Sequence, residues 1–122
     1  MLCVALTPAT LDEIFHSERA GADLVEVRLD YLNDPRQSLD VSWSKFDVPV
    51  IATCRRRERG GLFGGTVDEE RQLLETAVRN GATYVDIDYR DARPIDGARL
   101  IASYHNLEET PVDVPAELPA SE

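Results

Sequence analysis

Charged residues recur with a period of two inside otherwise apolar runs. Glu26, Arg28 and Asp30 alternate with Val25, Val27 and Leu29; Arg55 falls in phase with Ile51 and Thr53; Asp86 and Asp88 flank Ile87; His105 falls in phase with Ser103. That period sets each group on one face of an extended strand. Burying unpaired charge is costly, so these side chains must pair, line a cavity or face water. On neighbouring strands, Glu26, Arg28, Arg55 and Asp86 would suit a hydroxylated anion, with His105 as general acid or base beside it.

Such a face needs strands that end on the same side. Five runs read as strands, at residues 3–7, 23–32, 48–55, 83–90 and 100–105. Between the first two, Thr10 and Glu13 form a capping box that opens a helix to about residue 20, where Gly21 supplies the stop. A second box, Thr66 with Glu69, opens a helix carrying Leu73, Leu74, Ala77 and Val78 on one face and ending at Asn80-Gly81. Residues 34–46 carry only irregular helical signals after Pro35, and the stretch with Pro94 and Gly97 reads as a loop or single turn.

Strand and helix thus alternate, as in a parallel α/β sheet, either open or part of a (β/α) barrel, whose sites gather at the C-terminal strand ends. An antiparallel sheet with one wet face is the alternative, and would explain the alternation without function. "RAGADLVEVRLD" and "RNGATYVDIDYR" echo one another, through duplication or because helix-to-strand turns converge on this chemistry.

The 122 residues suit one small domain, and a net charge of −10 disfavours nucleic acid and anionic membranes as partners. Cys3 and Cys54 fit neither a disulfide framework nor a metal site and read as small reduced core thiols. The N-terminal residues resemble neither a signal peptide nor a membrane span, so a cytoplasmic protein is expected. His16 reads as a surface residue. The glycine-rich loop of residues 55–65 has neither P-loop nor Rossmann spacing and reads instead as a mobile loop flanking a site.

"GADLVEVRLDYL", "PVIATCR" followed by a Gly-Gly loop, "GATYVDIDY" and "SYHNLEETP", in this order, resemble the N-terminal half of type I 3-dehydroquinate dehydratase. The resemblance runs from about Val4 to Pro111 and implies the first five parallel strands, with intervening helices, of a (β/α)8 TIM-type barrel. It implies a lyase of the shikimate pathway that converts 3-dehydroquinate to 3-dehydroshikimate and water through a Schiff base, with no metal or dissociable cofactor. His105 matches the proton-transfer histidine; Glu26, Arg28 and Arg55 match residues that hold substrate hydroxyls; Asp86 matches an acidic position near the site.

Two departures stand out. Before the Gly-Gly pair, where the family carries a glutamate that supports the histidine, this chain has Arg59, and Glu58 one position earlier takes the assignment. The family's Schiff-base lysine belongs to a later strand, whereas here Pro111, Pro115 and Pro119 fall within nine residues and residues 112–122 read as a tail outside the barrel half. Lys45, the one lysine against twelve arginines, precedes the third strand and belongs to the opposite mouth of the sheet. Three readings follow: a half-enzyme complemented by another polypeptide, a dehydroquinate- or shikimate-binding module without catalysis, or a remnant with no site. Open sheet edges would favour a homodimer or a complementing C-terminal half.

Overall fold

Val25, Val27, Val50, Ala52, Val85 and Ile87 are the buried alternate residues of three adjacent strands, and they make the floor of the core. The computed structural model describes residues 2–16 and 21–104. Its strands are β1 (Cys3–Leu6), β2 (Leu24–Arg28), β3 (Val50–Thr53), β4 (Tyr84–Asp88) and β5 (Arg99–Ser103), in the sheet order β1-β2-β3-β4-β5. All four ladders are parallel, which excludes the antiparallel alternative. Five parallel strands in sequence order, with helical connections, are the front of a (β/α)8 barrel.

Helix α1 (Leu11–His16) follows β1 and buries Ile14; helix α2 (Val67–Arg79) packs across β3 and β4 and buries Leu73, Leu74 and Ala77. Burying a leucine of this kind contributes about 1.5–3 kcal/mol. The capping box of α2 is complete: Glu69 N–H donates to Thr66 Oγ1 at 3.1 Å, and Thr66 N–H donates to Glu69 Oε1 at 2.8 Å. Asp68, Glu69 and Glu70 in the first turn and Arg79 in the last complement the helix dipole. Gly81 then turns the chain at φ 114°, a conformation that favours glycine.

Residues 34–46 resolve into two 3-10 segments, Pro35–Asp40 and Trp43–Lys45, the first capped by Asp34. They carry the buried Trp43, stacked on Phe46 at 6.2 Å, against the edge of the core. Between β4 and β5 the chain makes a turn at Asp88–Asp91 and buries Ile95 where a longer crossover would place a helix.

The second strand is shorter than its apolar alternation predicts. Pairing with β3 ends at Arg28, and residues Leu29–Tyr31 turn in a 3-10 segment because the Asp30 carboxylate is drawn back onto Arg28. Cys54 is buried as expected, whereas Cys3 is exposed: its parity sets it on the face shared with Glu26, away from the core. The expected end of α1 near residue 20, His105 and the expected tail of residues 112–122 lie outside the described residues. No helix among the described residues is long and apolar enough to cross a membrane.

Candidate active site

Because every strand is parallel, the C-terminal ends of β2 to β5 form one rim. Register places Arg28, Thr53 and Asp86 side by side across three strands, with Glu26 beside Ile51 one pleat earlier and Ser103 beside Asp88. All of these face away from the packed core, so the polar positions of the alternation share a surface.

Their carboxylates each accept a hydrogen bond from a neighbouring side chain. Thr53, fully buried, donates from Oγ1 to Glu26 Oε2 at 2.6 Å. Arg55, only 4% exposed, donates from Nη2 to Asp86 Oδ1 at 2.5 Å, and the Ser103 hydroxyl donates to that same oxygen. Arg55 Nη1 is buried and has no hydrogen-bond partner among the described residues. A buried donor left unmade costs about 1–3 kcal/mol, and more on a charged group, so this atom is a standing demand for an acceptor.

Arg28 forms a two-pronged pair with Asp30, Nε to Oδ1 at 3.0 Å and Nη2 to Oδ2 at 2.8 Å, and its guanidinium lies over the Tyr31 ring at 5.1 Å. Burial works against the charge on Arg28, but the hydrogen bonds and charge of Asp30 outweigh it and hold the pKa above its ordinary value. Arg28 is therefore a fixed cation.

The loop after β3 folds back on its own beginning. Phe63 N–H donates to Arg55 O at 2.9 Å, Arg57 N–H to Phe63 O at 3.0 Å, and Leu62 N–H to Asp30 Oδ2 at 3.1 Å. Gly61 permits this fold: a Cβ there would fall 2.2 Å from Arg55 O. The loop residue next to Arg55 points to other partners. Buried Arg56 pairs with Glu70 at 2.9 Å, with Glu58 at 2.5 Å and with Asp91, while Arg59 holds Asp91 at 2.9 and 3.3 Å. Burial pushes the Glu70 carboxyl up despite Arg56, and the Arg59 hydrogen bond holds Asp91 below the ordinary aspartate range. Asp88 is likewise held down, burial notwithstanding, by Arg90, whose Nε and Nη2 each lie 2.9 Å from one of its oxygens.

Glu26, Arg28, Arg55 and Asp86 thus come together on one face. Glu58 does not join them: it is exposed and pairs with Arg56. His105 lies outside the described residues. Reasoning from sequence missed what Thr53, Ser103 and Asp30 do within this arrangement. Thr53 and Ser103 were visible as hydroxyls on the charged face beside carboxylates of neighbouring strands, and that juxtaposition was the available signal.

The family model for type I 3-dehydroquinase matches residues 2–116. The 3-dehydroquinate dehydratase of Desulfotalea psychrophila is 35% identical over 121 residues, covering 89% of this chain and 53% of its own length. That of Methanothermobacter thermautotrophicus is 37% identical over 121 residues, covering 90% and 54%. The chain spans about half the length of these curated relatives. Among solved structures, the type I 3-dehydroquinate dehydratase of Clostridium difficile with covalently modified comenic acid shares the fold, with a TM-score of 0.71 at 18% identity over 90% of this chain and 52% of that one. The Schizosaccharomyces pombe dehydroquinate dehydratase and shikimate dehydrogenase gives a TM-score of 0.66 at 26% identity, covering 87% of this chain and 24% of that one. The parallel half-barrel and these matches agree: the chain belongs to the type I 3-dehydroquinase family.

Proposed function

We propose that this chain carries the substrate-holding part of a 3-dehydroquinate dehydratase site and binds 3-dehydroquinate on the polar face of its sheet. The observation that carries this reading is Arg55 Nη1, a buried cationic donor with no partner among the described residues, next to the Asp86 carboxylate. A ligand hydroxyl can accept from Nη1 and donate to Asp86 in the same contact. Glu26, steadied by Thr53, takes another hydroxyl, and Arg28, held in place by Asp30, lines the same face. His105 removes the proton next to the ketone-derived carbon and returns one to the departing hydroxyl, which leaves as water.

The electron sink for that step is an imine between the substrate ketone and a lysine amine, formed with loss of water and hydrolysed at the end. The only lysine in these 122 residues is Lys45, exposed at the end of a 3-10 segment that leads into the N-terminal end of β3, whereas the rim lies at the C-terminal strand ends. We therefore read these 122 residues as holding substrate without turnover by themselves, catalysis requiring an amine from residues outside them. The two free cysteines are compatible with a cytoplasmic location.

Isothermal calorimetry with 3-dehydroquinate tests the binding claim, which fails if no heat is seen at millimolar ligand. Borohydride trapping tests the catalytic claim: the expected result is no covalent adduct on the lone chain, and an adduct on Lys45 would overturn it.

A further inference from the structure

We propose that Ser103 is a positioning residue that keeps the Arg55–Asp86 pair single-pronged, and so keeps Arg55 Nη1 open to a ligand hydroxyl. The inference rests on the functional reading above and deepens it by naming what maintains the open donor.

The other arginine–aspartate pairs at this rim supply the comparison. Arg28 with Asp30, Arg90 with Asp88 and Arg59 with Asp91 each engage both carboxylate oxygens, whereas Arg56 meets Asp91 through one because its other two nitrogens are taken by Glu58 and Glu70. That fork is the favoured geometry of a guanidinium and a carboxylate. Arg55 and Asp86 depart from it: only Nη2 and Oδ1 meet. The difference is the neighbour. Ser103, half-buried on the next strand, donates its hydroxyl to Oδ1 as well, so the one oxygen serves two donors and no described residue bonds Oδ2. Two donors on one oxygen fix the rotation of the carboxylate. Without the hydroxyl, Asp86 is free to turn about its terminal bond and offer Oδ2 to Nη1, closing the fork and satisfying the orphaned atom.

This has an unusual signature. Loss of a merely structural hydrogen bond lowers stability, whereas closing the fork replaces the lost bond with another and removes a buried unsatisfied donor, so stability holds while binding falls.

The test compares the 122-residue chain with Ser103→Ala and Ser103→Thr by calorimetry with 3-dehydroquinate and by urea denaturation. Ser103→Ala is expected to bind about 10-fold or more weakly, the scale of one hydrogen bond to a charged group, with an unfolding midpoint no lower than the parent's. Ser103→Thr, which keeps the hydroxyl, is expected to restore binding to within about 3-fold. Unchanged affinity in Ser103→Ala, failure of the threonine to rescue, or a variant that does not fold would each overturn the proposal. A crystal structure of Ser103→Ala in which Arg55 and Asp86 remain single-pronged would also overturn it. That last result is independent of the ligand, whereas a parent that binds no 3-dehydroquinate would sink the functional reading.

Discussion

Arg28 and Asp30, two residues apart where β2 ends, form a fork whose carboxylate is completely buried. Asp30 Oδ2 also accepts the Leu62 N–H at 3.1 Å, so one side chain joins an arginine of the polar face to the glycine-rich loop that flanks it. The loop and the rim are therefore one unit, and substitutions in either should be felt in both.

Replacing Asp30 by Ala strands Arg28, whose side chain is only 21% exposed, without its counter-charge. Breaking a buried pair from one side costs about 3 kcal/mol, and urea denaturation should show a loss of that size. Asp30→Asn keeps an acceptor for Leu62 and should cost less, with amide exchange at Leu62 rising only in the alanine variant.

Gly61→Ala drives a methyl into Arg55 O, a backbone atom that cannot step aside as a flexible side chain would. The loop must lift, at a cost of about 1–3 kcal/mol. Faster amide exchange at Phe63, whose N–H is bonded to that same carbonyl, is the local readout. Ligand affinity should fall with it, because Arg55 moves too.

Thr66→Ala removes one half of the α2 capping box and should destabilise by about 1 kcal/mol. Adding Glu69→Ala should cost less than the sum of the two single changes, since each side chain caps the other's backbone. Additive losses in a double-mutant cycle would contradict reciprocal capping.

Stability should carry opposing acid and base limbs. Asp91, depressed by the Arg59 hydrogen bond, contributes stability that is present above its ordinary value of 3.8 and lost as pH falls through its folded value. Glu70, raised by burial, has the opposite sign: its contribution is present below its ordinary value of 4.5 and lost as pH rises through its folded value. Urea midpoints measured from about pH 3 to 7 should therefore show Asp91→Asn flattening the acid limb and Glu70→Gln flattening the upper one. The same pH profile in all three proteins would refute the assignment.

Local chemistry made much of this molecule legible before any coordinates. The alternation through Glu26, Arg28 and Asp86 identified the polar face because side-chain direction in a strand depends only on parity. The Thr66–Glu69 box and Gly81 bounded α2 because caps act within one turn. The alternation of strands and helices pointed to parallel pairing, since hairpins leave no room for a helix between strands.

What tertiary structure decided is which charged residue meets which. Arg55 and Asp86 are 31 residues apart, and their contact depends on the β3–β4 register that sets Thr53 beside Asp86. The adjacent arginines 55 and 56 look alike in sequence, yet the first takes a carboxylate on the polar face and the second is buried among Glu58, Glu70 and Asp91. Glu58 is held by Arg56 for the same reason: its nearest opposite charge is set by how the loop folds, not by its distance in sequence from the Gly-Gly pair. Periodicity fixes faces, because it is a property of one strand. Partners follow from register and loop closure, which are properties of strands together, and the open donor on Arg55 exists only because three strands bring Arg55, Asp86 and Ser103 to one rim.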